Sequence, residues 1–184
     1  ILPAMTAWVI GVPLRSLSIG GQWWVVFAFG GLLLVLVLVA EYITVDIEDE
    51  RHALASIGLT AVSFALYLTL AIALRAAGLR LYLILPALVA AIGLAALRTL
   101  YLRLEGEWCL AWAVGIAMVI GQISMGLHYW PLSPLRFGLL LTGPAYALTS
   151  MAASFTEGRS WRTSWIEPAI MLAALWGLAL GVQG

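Results

Sequence analysis

Ionisable residues are scarce in this sequence, and lysine is missing altogether. The 184 residues include nine arginines, nine acidic residues and two histidines, so only 10% are charged and the formal net charge is zero. Soluble domains carry about 25% charged residues. A nucleic-acid partner would require a clustered basic surface, which this composition does not offer. The single cysteine, Cys109, excludes an intrachain disulfide and any multi-cysteine zinc or iron–sulfur centre.

Apolar residues take the place of the missing charges. They make up 64% of the chain, and the mean hydropathy is +1.05. A soluble domain of this size has too little interior to bury so much apolar side chain. The excess must face lipid, so the composition predicts a multi-pass integral protein of a cell membrane.

Six apolar stretches have the length of membrane spans or come close to it. A bilayer core of about 30 Å requires about 20 helical residues. Short connections join the stretches, which favours antiparallel neighbours in a single helical domain over residues 1–184. We therefore predict an all-α, polytopic membrane bundle of about six transmembrane helices. Residues 1–14, interrupted by Pro3 and Pro13, are interpreted as part of a seventh span or as a short interfacial piece. The six predicted spans are 22–42, 53–74, 81–97, 108–127, 137–155 and 168–182.

Charged residues separate cleanly between the two ends of these spans. We define side A as the end that carries Arg15, Arg75, Arg80 and Arg136, with no acid. Side B carries all nine acids and the other five arginines. A missed span would mix the two sets, so this separation supports the count of six. The uncompensated arginines weakly favour side A as the cytoplasmic side.

No ionisable residue lies near the middle of a predicted span, which argues against a proton-coupled transporter or pump. The sequence also matches no known arrangement of catalytic residues. Ser124 has only His128 as a base and no orienting acid, and the acidic neighbours of Cys109 blunt its nucleophilicity. We therefore name no catalytic residue and expect a protein that is not an enzyme.

His128 and Gln122 are the candidate cofactor contacts. His128 lies at the side-A end of the fourth span. There it either ligates chlorophyll magnesium or haem iron, or hydrogen-bonds a quinone, or is an ordinary histidine of the aromatic belt. Gln122 is the most polar residue inside a span. It is expected to hydrogen-bond a neighbouring helix or to contact a cofactor carbonyl.

Hydroxyl-bearing residues form one stripe on each of two spans. Their spacing of three and four residues places each set on one helix face. Such a stripe either joins helices by hydrogen bonds or lines a substrate path. The stripes comprise Ser56, Thr60, Ser63 and Tyr67 on the second span, and Thr142, Tyr146 and Thr149 or Ser150 on the fifth.

Small residues predict close helix contacts on the fourth and sixth spans. Without a bulky side chain, two helix backbones approach closely in a membrane. The glycines concerned are Gly115, Gly121, Gly126, Gly177 and Gly181.

The loop 42–52 holds the densest cluster of charge. Its carboxylates, with His52, would suit a hard-cation site, but the spacing matches no metal motif. The simpler interpretation is a solvated loop whose acids favour the start of the next helix. We predict no metal site.

Residues 127–138, with 143–150 and 157–159, resemble a family of small polytopic membrane proteins from filamentous green phototrophic bacteria and their relatives. The segment begins Leu127-His128-Tyr129-Trp130-Pro131 and ends Glu157-Gly158-Arg159. The family has no assigned activity, so the resemblance assigns no site residues. It implies a bacterial inner membrane rich in photosynthetic and respiratory complexes.

The sequence is compatible with three functions. The leading hypothesis is a non-catalytic subunit of a larger membrane complex, such as a photosynthetic or respiratory assembly engaged in electron transport. Its partners would be membrane lipid and other subunits, and its apolar grooves would hold lipid, carotenoid, quinone or chlorophyll. The alternatives are a carrier or flippase for a small solute or lipid, which would use the hydroxyl stripes, and a membrane enzyme with an interfacial site. That enzyme site would combine the acidic loop with Arg159 or Arg162 at side B.

Overall fold

The computed structural model describes residues 2–16, 18–43, 52–104, 107–158 and 164–181, and these residues form only helices and their connections. The predicted all-α bundle is confirmed. Seven helices fall within the described ranges: α1 (Leu2–Ser16), α2 (Gly21–Ile43), α3 (His52–Ala76), α4 (Leu81–Arg103), α5 (Leu110–His128), α6 (Pro134–Thr156) and α7 (Ile166–Gly181).

Four of these helices, α2 to α5, are long and apolar enough to cross a membrane. Two predicted spans fall short of that standard. Helix α7 has 16 residues, and α6 has 23 but is less apolar because hydroxyls, glycines and prolines interrupt it. The low hydropathy of α6 has a structural reason, since more than half of its residues are buried against other helices.

Helix α6 lies at the centre of the packing. It contacts α3, α4, α5 and α7, whereas α7 packs on α6 alone among the described helices. Helix α1 packs on α2, α3 and α4. Its Leu2, Met5 and Val9 are buried, so the N-terminal segment is part of the helical bundle.

Two glycines on α6 allow its neighbours to approach closely. A Cβ atom on Gly138 would lie 2.7 Å from Ile72 and 3.4 Å from the backbone oxygen of Leu68, both on α3. A Cβ atom on Gly143 would lie 3.1 Å from Trp176 of α7. The predicted close contacts were mostly assigned to the wrong glycines. Gly121 does meet Val89 of α4, but no atom of the described residues lies within 4 Å of a Cβ atom at Gly115, Gly126, Gly177 or Gly181.

The end of α4 also differs from the prediction. The helix continues six residues past the predicted end at Leu97, to Arg103, and therefore includes Arg98. The Arg98 guanidinium donates to Glu41 of α2 at 2.7 Å, and its side chain is only 9% exposed. It also lies 5.4 Å from the ring centre of Tyr101. The Arg98 charge is thus paired with a carboxylate within the bundle.

We expect Gly138→Ala to destabilise the bundle. Alanine improves helix propensity by about 1 kcal/mol over glycine, but overpacking against α3 should cost about 1–3 kcal/mol. Thermal unfolding in detergent, followed by circular dichroism, should show a lower midpoint. Gly115→Ala is the matched control, since its methyl group meets open space and should leave the midpoint unchanged or higher. Equal midpoints for both variants would contradict the close α3–α6 contact.

A second prediction concerns the Arg98–Glu41 ion pair. Removing one partner of a buried ion pair typically costs about 3–5 kcal/mol, while replacing both with apolar residues is often nearly neutral. Glu41→Leu should therefore lower the unfolding midpoint strongly, and adding Arg98→Leu should restore much of the loss. A double variant less stable than either single one would show that the pair does not behave as a unit.

Candidate functional site

A groove of about 920 Å³ lies between α3 and α7, with α6 behind it. Helices α3 and α7 both pack on α6, but within the described ranges they do not contact each other. The groove is open on its outer face, where Ile57 is 68% exposed. Its size is near the upper end of the range of ligand pockets, which is about 300–1,000 Å³.

The groove changes from polar to apolar along its length. Arg103, at the end of α4, and Glu167, at the start of α7, lie at the side-B end. Leu68 lies twelve residues further along α3 than Ser56, or about 18 Å away. Apart from the hydroxyls of Ser56, Thr60, Thr142 and Tyr146, the rest of the lining is apolar. The apolar lining residues are Ile57, Ala61, Phe64, Ala65, Leu68, Leu102, Met171 and Leu175.

Four side chains from three helices meet at the polar end. The Tyr146 hydroxyl donates to Oε1 of Glu167 at 2.5 Å. The Arg103 guanidinium lies 3.7 Å from the same oxygen and donates to the Ser150 hydroxyl at 3.3 Å. These contacts position one cation and one anion side by side at the polar end of the groove, which we call its mouth. The Glu167 side chain is 55% exposed and that of Arg103 is 29% exposed, so both remain accessible.

The structure brings the two hydroxyl stripes together in part. Ser56 and Thr60 of α3 line the same groove as Thr142 and Tyr146 of α6. Ser63 and Tyr67 do not line it, and both are fully buried. The predicted interhelical bonds are mostly absent from the described part of the chain, because Thr60, Ser63 and Thr142 donate to the carbonyl four residues earlier in their own helices. Two members of the α6 stripe bond to another helix: Tyr146 donates to Glu167 of α7, and Ser150 accepts from Arg103 of α4.

His128 belongs to a different feature, at the side-A end. The Arg75 guanidinium donates to the backbone oxygens of His128 and Trp130, each at 3.0 Å. The His128 carbonyl is at the C-terminal end of α5 and that of Trp130 lies two residues beyond it, where a cation interacts favourably with the helix dipole. The same guanidinium is 3.4 Å from Nδ1 of His128. Since arginine only donates, a hydrogen bond there requires the ring proton on Nε2.

Gln122 and His128 are not on the same face of α5. They are six residues apart, which corresponds to about 9 Å along the axis and a different angular position. Gln122 is exposed on the outer surface, and no described residue of another helix hydrogen-bonds it. The expected interhelical bond of Gln122 is therefore wrong for the described residues, while the pigment or quinone contact stays a prediction for both residues.

Two residues that define the mouth, Arg103 and Glu167, were not predicted. They are far apart in the chain and appear ordinary at the ends of two helices. The available signal was their shared location on side B, but that location alone does not select this pair among the other side-B charges.

Other predicted features lie outside the described residues. These are the acidic loop over 44–51 and the arginines Arg159 and Arg162, which the enzyme hypothesis required. Among the described residues, no group of three or more histidine, cysteine or acidic side chains is placed to hold a metal ion.

A family model described as "Protein of unknown function (DUF5656)" matches residues 1–182. The chain belongs to the DUF5656 family. No curated protein and no solved structure matches it. The predicted membership of a family without an assigned activity is thus confirmed, and the function must be inferred from the groove itself.

Cysteine accessibility should distinguish the groove from the buried face of α3. We expect Thr60→Cys, in a Cys109→Ser background, to react with N-ethylmaleimide in detergent, because Thr60 lines the groove. Ser63→Cys is the matched control on the same helix and should remain unlabelled, because Ser63 is fully buried. Mass spectrometry of the intact protein measures both. Equal labelling of the two positions would contradict this orientation of α3.

Proposed function

We propose that this protein is a membrane-embedded binding protein for a lipid-like amphiphile, which it holds in the groove between α3 and α7. The observation that carries the proposal is the polarity gradient of that groove, with charged residues at one end and an apolar channel leading away from them. This proposal develops the lipid-carrier alternative and assigns to Ser56, Thr60, Thr142 and Tyr146 the substrate-path role.

The open outer face of the groove supports this ligand class. In a bilayer, the sides of a helical bundle face hydrocarbon. An amphiphile can therefore move sideways from the lipid into the space between α3 and α7, without passing through water. Its acyl or prenyl chain would lie against Leu68 and Leu175, and its headgroup would reach Arg103 and Glu167.

The proposal includes a membrane topology. Helices α2 to α7 would cross the membrane six times, with α1 packed against them as a shorter apolar helix. The mouth of the groove would then lie near the side-B surface, at the depth of lipid headgroups. A bacterial inner membrane, and a phototrophic lineage, stay predictions of the sequence resemblance.

A second candidate function is a non-catalytic subunit of a larger membrane complex. Helix α2 favours it, since only 11% of its most apolar window is buried within the described bundle. Trp24, Phe27 and Phe29 are among its exposed side chains. Lipid alone would also cover this surface, so α2 supports the hypothesis less specifically than the groove supports lipid binding. Purification from native membranes in a mild detergent separates the two, because a subunit co-migrates with its partners.

Filling the groove should displace the bound amphiphile. We expect protein purified in a mild detergent to retain lipid that mass spectrometry detects, and Ala61→Trp to retain much less. Ala61 lines the groove, so an indole there would occupy the space of the ligand. Ala90→Trp is the matched control, because Ala90 is exposed on α4 and does not line the groove. Equal lipid retention in both variants and the unmodified protein would refute the proposed function.

A further inference from the structure

The mouth of the groove contains one positive and one negative side chain in direct contact with the same cavity. Arg103 and Glu167 are its only charged lining residues within the described part of the chain. Their contact of 3.7 Å is longer than a hydrogen bond. Partly exposed ion pairs contribute little stability, about 0–1 kcal/mol, so a ligand with better geometry can replace this contact.

Both side chains retain unused hydrogen-bonding capacity. Arginine has five N–H donors, and the described contacts of Arg103 use one of them, to Ser150. Oε1 of Glu167 receives Tyr146 and faces Arg103. The other carboxylate oxygen, Oε2, has no partner among the described residues. Within the described part of the chain, the mouth therefore offers several unused donors on one side and an anionic acceptor without a partner on the other.

The charge balance selects among headgroups. An anionic headgroup bound to Arg103 would bring its negative charge close to Glu167, and a cationic headgroup bound to Glu167 would bring its positive charge close to Arg103. At such short distances opposite charges attract and like charges repel, although water weakens both effects where the side chains are partly exposed. A headgroup that carries both a phosphate and an ammonium group satisfies both side chains at once.

We infer that the groove selects a zwitterionic phospholipid with a primary ammonium group, of the phosphoethanolamine type. The phosphate accepts hydrogen bonds from Arg103, and the ammonium donates to Oε2 of Glu167. This inference rests on the proposed function and adds the headgroup class to it.

The primary ammonium is favoured over a quaternary one because it has N–H donors. A quaternary ammonium cannot hydrogen-bond a carboxylate and is usually held by several aromatic faces. Among the described lining residues, the aromatic ones are Phe64 and Tyr146. They pack edge to face on each other, with ring centres 5.2 Å apart, and do not form a cage around Glu167.

The test compares three lipids with identical acyl chains: phosphatidylethanolamine, phosphatidylcholine and phosphatidylglycerol. Delipidated protein in detergent is titrated with each lipid, and native mass spectrometry gives the dissociation constants. We expect phosphatidylethanolamine to bind about tenfold more tightly than the other two, as one charge-assisted hydrogen bond implies. Arg103→Gln should weaken all three lipids about tenfold.

Glu167→Gln should change the order of affinities rather than only weaken binding. Without the carboxylate, phosphatidylglycerol should bind at least as well as phosphatidylethanolamine, which a merely structural role of Glu167 does not predict. Glu107→Gln is the control, since Glu107 is exposed at the same end of the bundle and does not line the groove. The midpoint of thermal unfolding checks that each variant is folded.

The possible outcomes separate the two proposals. Equal affinity of the unmodified protein for all three lipids would overturn the headgroup inference and leave the amphiphile-binding function in place. Tightest binding of phosphatidylglycerol or of phosphatidylcholine would overturn it in the same way. If none of the lipids binds, and Ala61→Trp retains as much lipid as Ala90→Trp, the proposed function itself is wrong.

Discussion

The close approach of α3 and α7 to the small residues of α6 determines the rest of this structure. Gly138 admits α3, and Gly143 admits the indole of Trp176. The Trp176 ring also donates to the Leu140 carbonyl at 3.3 Å, which fixes the height of α7 against α6. Because α6 and α7 run antiparallel, this alignment places Glu167, near the start of α7, next to Tyr146 of α6. The groove and its charged mouth both follow from these contacts.

Two ion pairs at the side-B end have the same chemistry but different surroundings. Arg98 and Glu41 lie 2.7 Å apart with side chains 9% and 23% exposed, whereas Arg103 and Glu167 lie 3.7 Å apart and are 29% and 55% exposed. The desolvation of a closely paired, buried arginine makes that pair costly to open. Arg98 and Glu41 therefore join α2 to α4. Arg103 and Glu167 stay weakly paired, so a ligand can reach them.

Hydropathy predicted the helices well because length and apolar content are local properties of the sequence. The stripe Ser56–Thr60 was also predicted, since residues four apart share a helix face. The sequence pattern does not tell which face of each helix meets lipid and which meets another helix. In a membrane protein, the side that meets lipid is as apolar as the side that meets another helix. That is why Gly115 was predicted to pack and Gly138 was overlooked. The Arg103–Glu167 contact joins helices distant in sequence, so it required the packed structure.

The hydroxyls of the groove wall explain why selectivity should reside at the mouth. The hydroxyls of Thr60 and Thr142 each donate their only hydrogen to a carbonyl oxygen of their own helix, at 2.9 and 2.8 Å. They still accept hydrogen bonds weakly, but they cannot donate one to a ligand while that bond is made. The wall therefore presents a nearly neutral surface that suits many hydrocarbon chains. Directional recognition requires unused donors and acceptors, and Arg103 and Glu167 offer them at the end where a headgroup would lie.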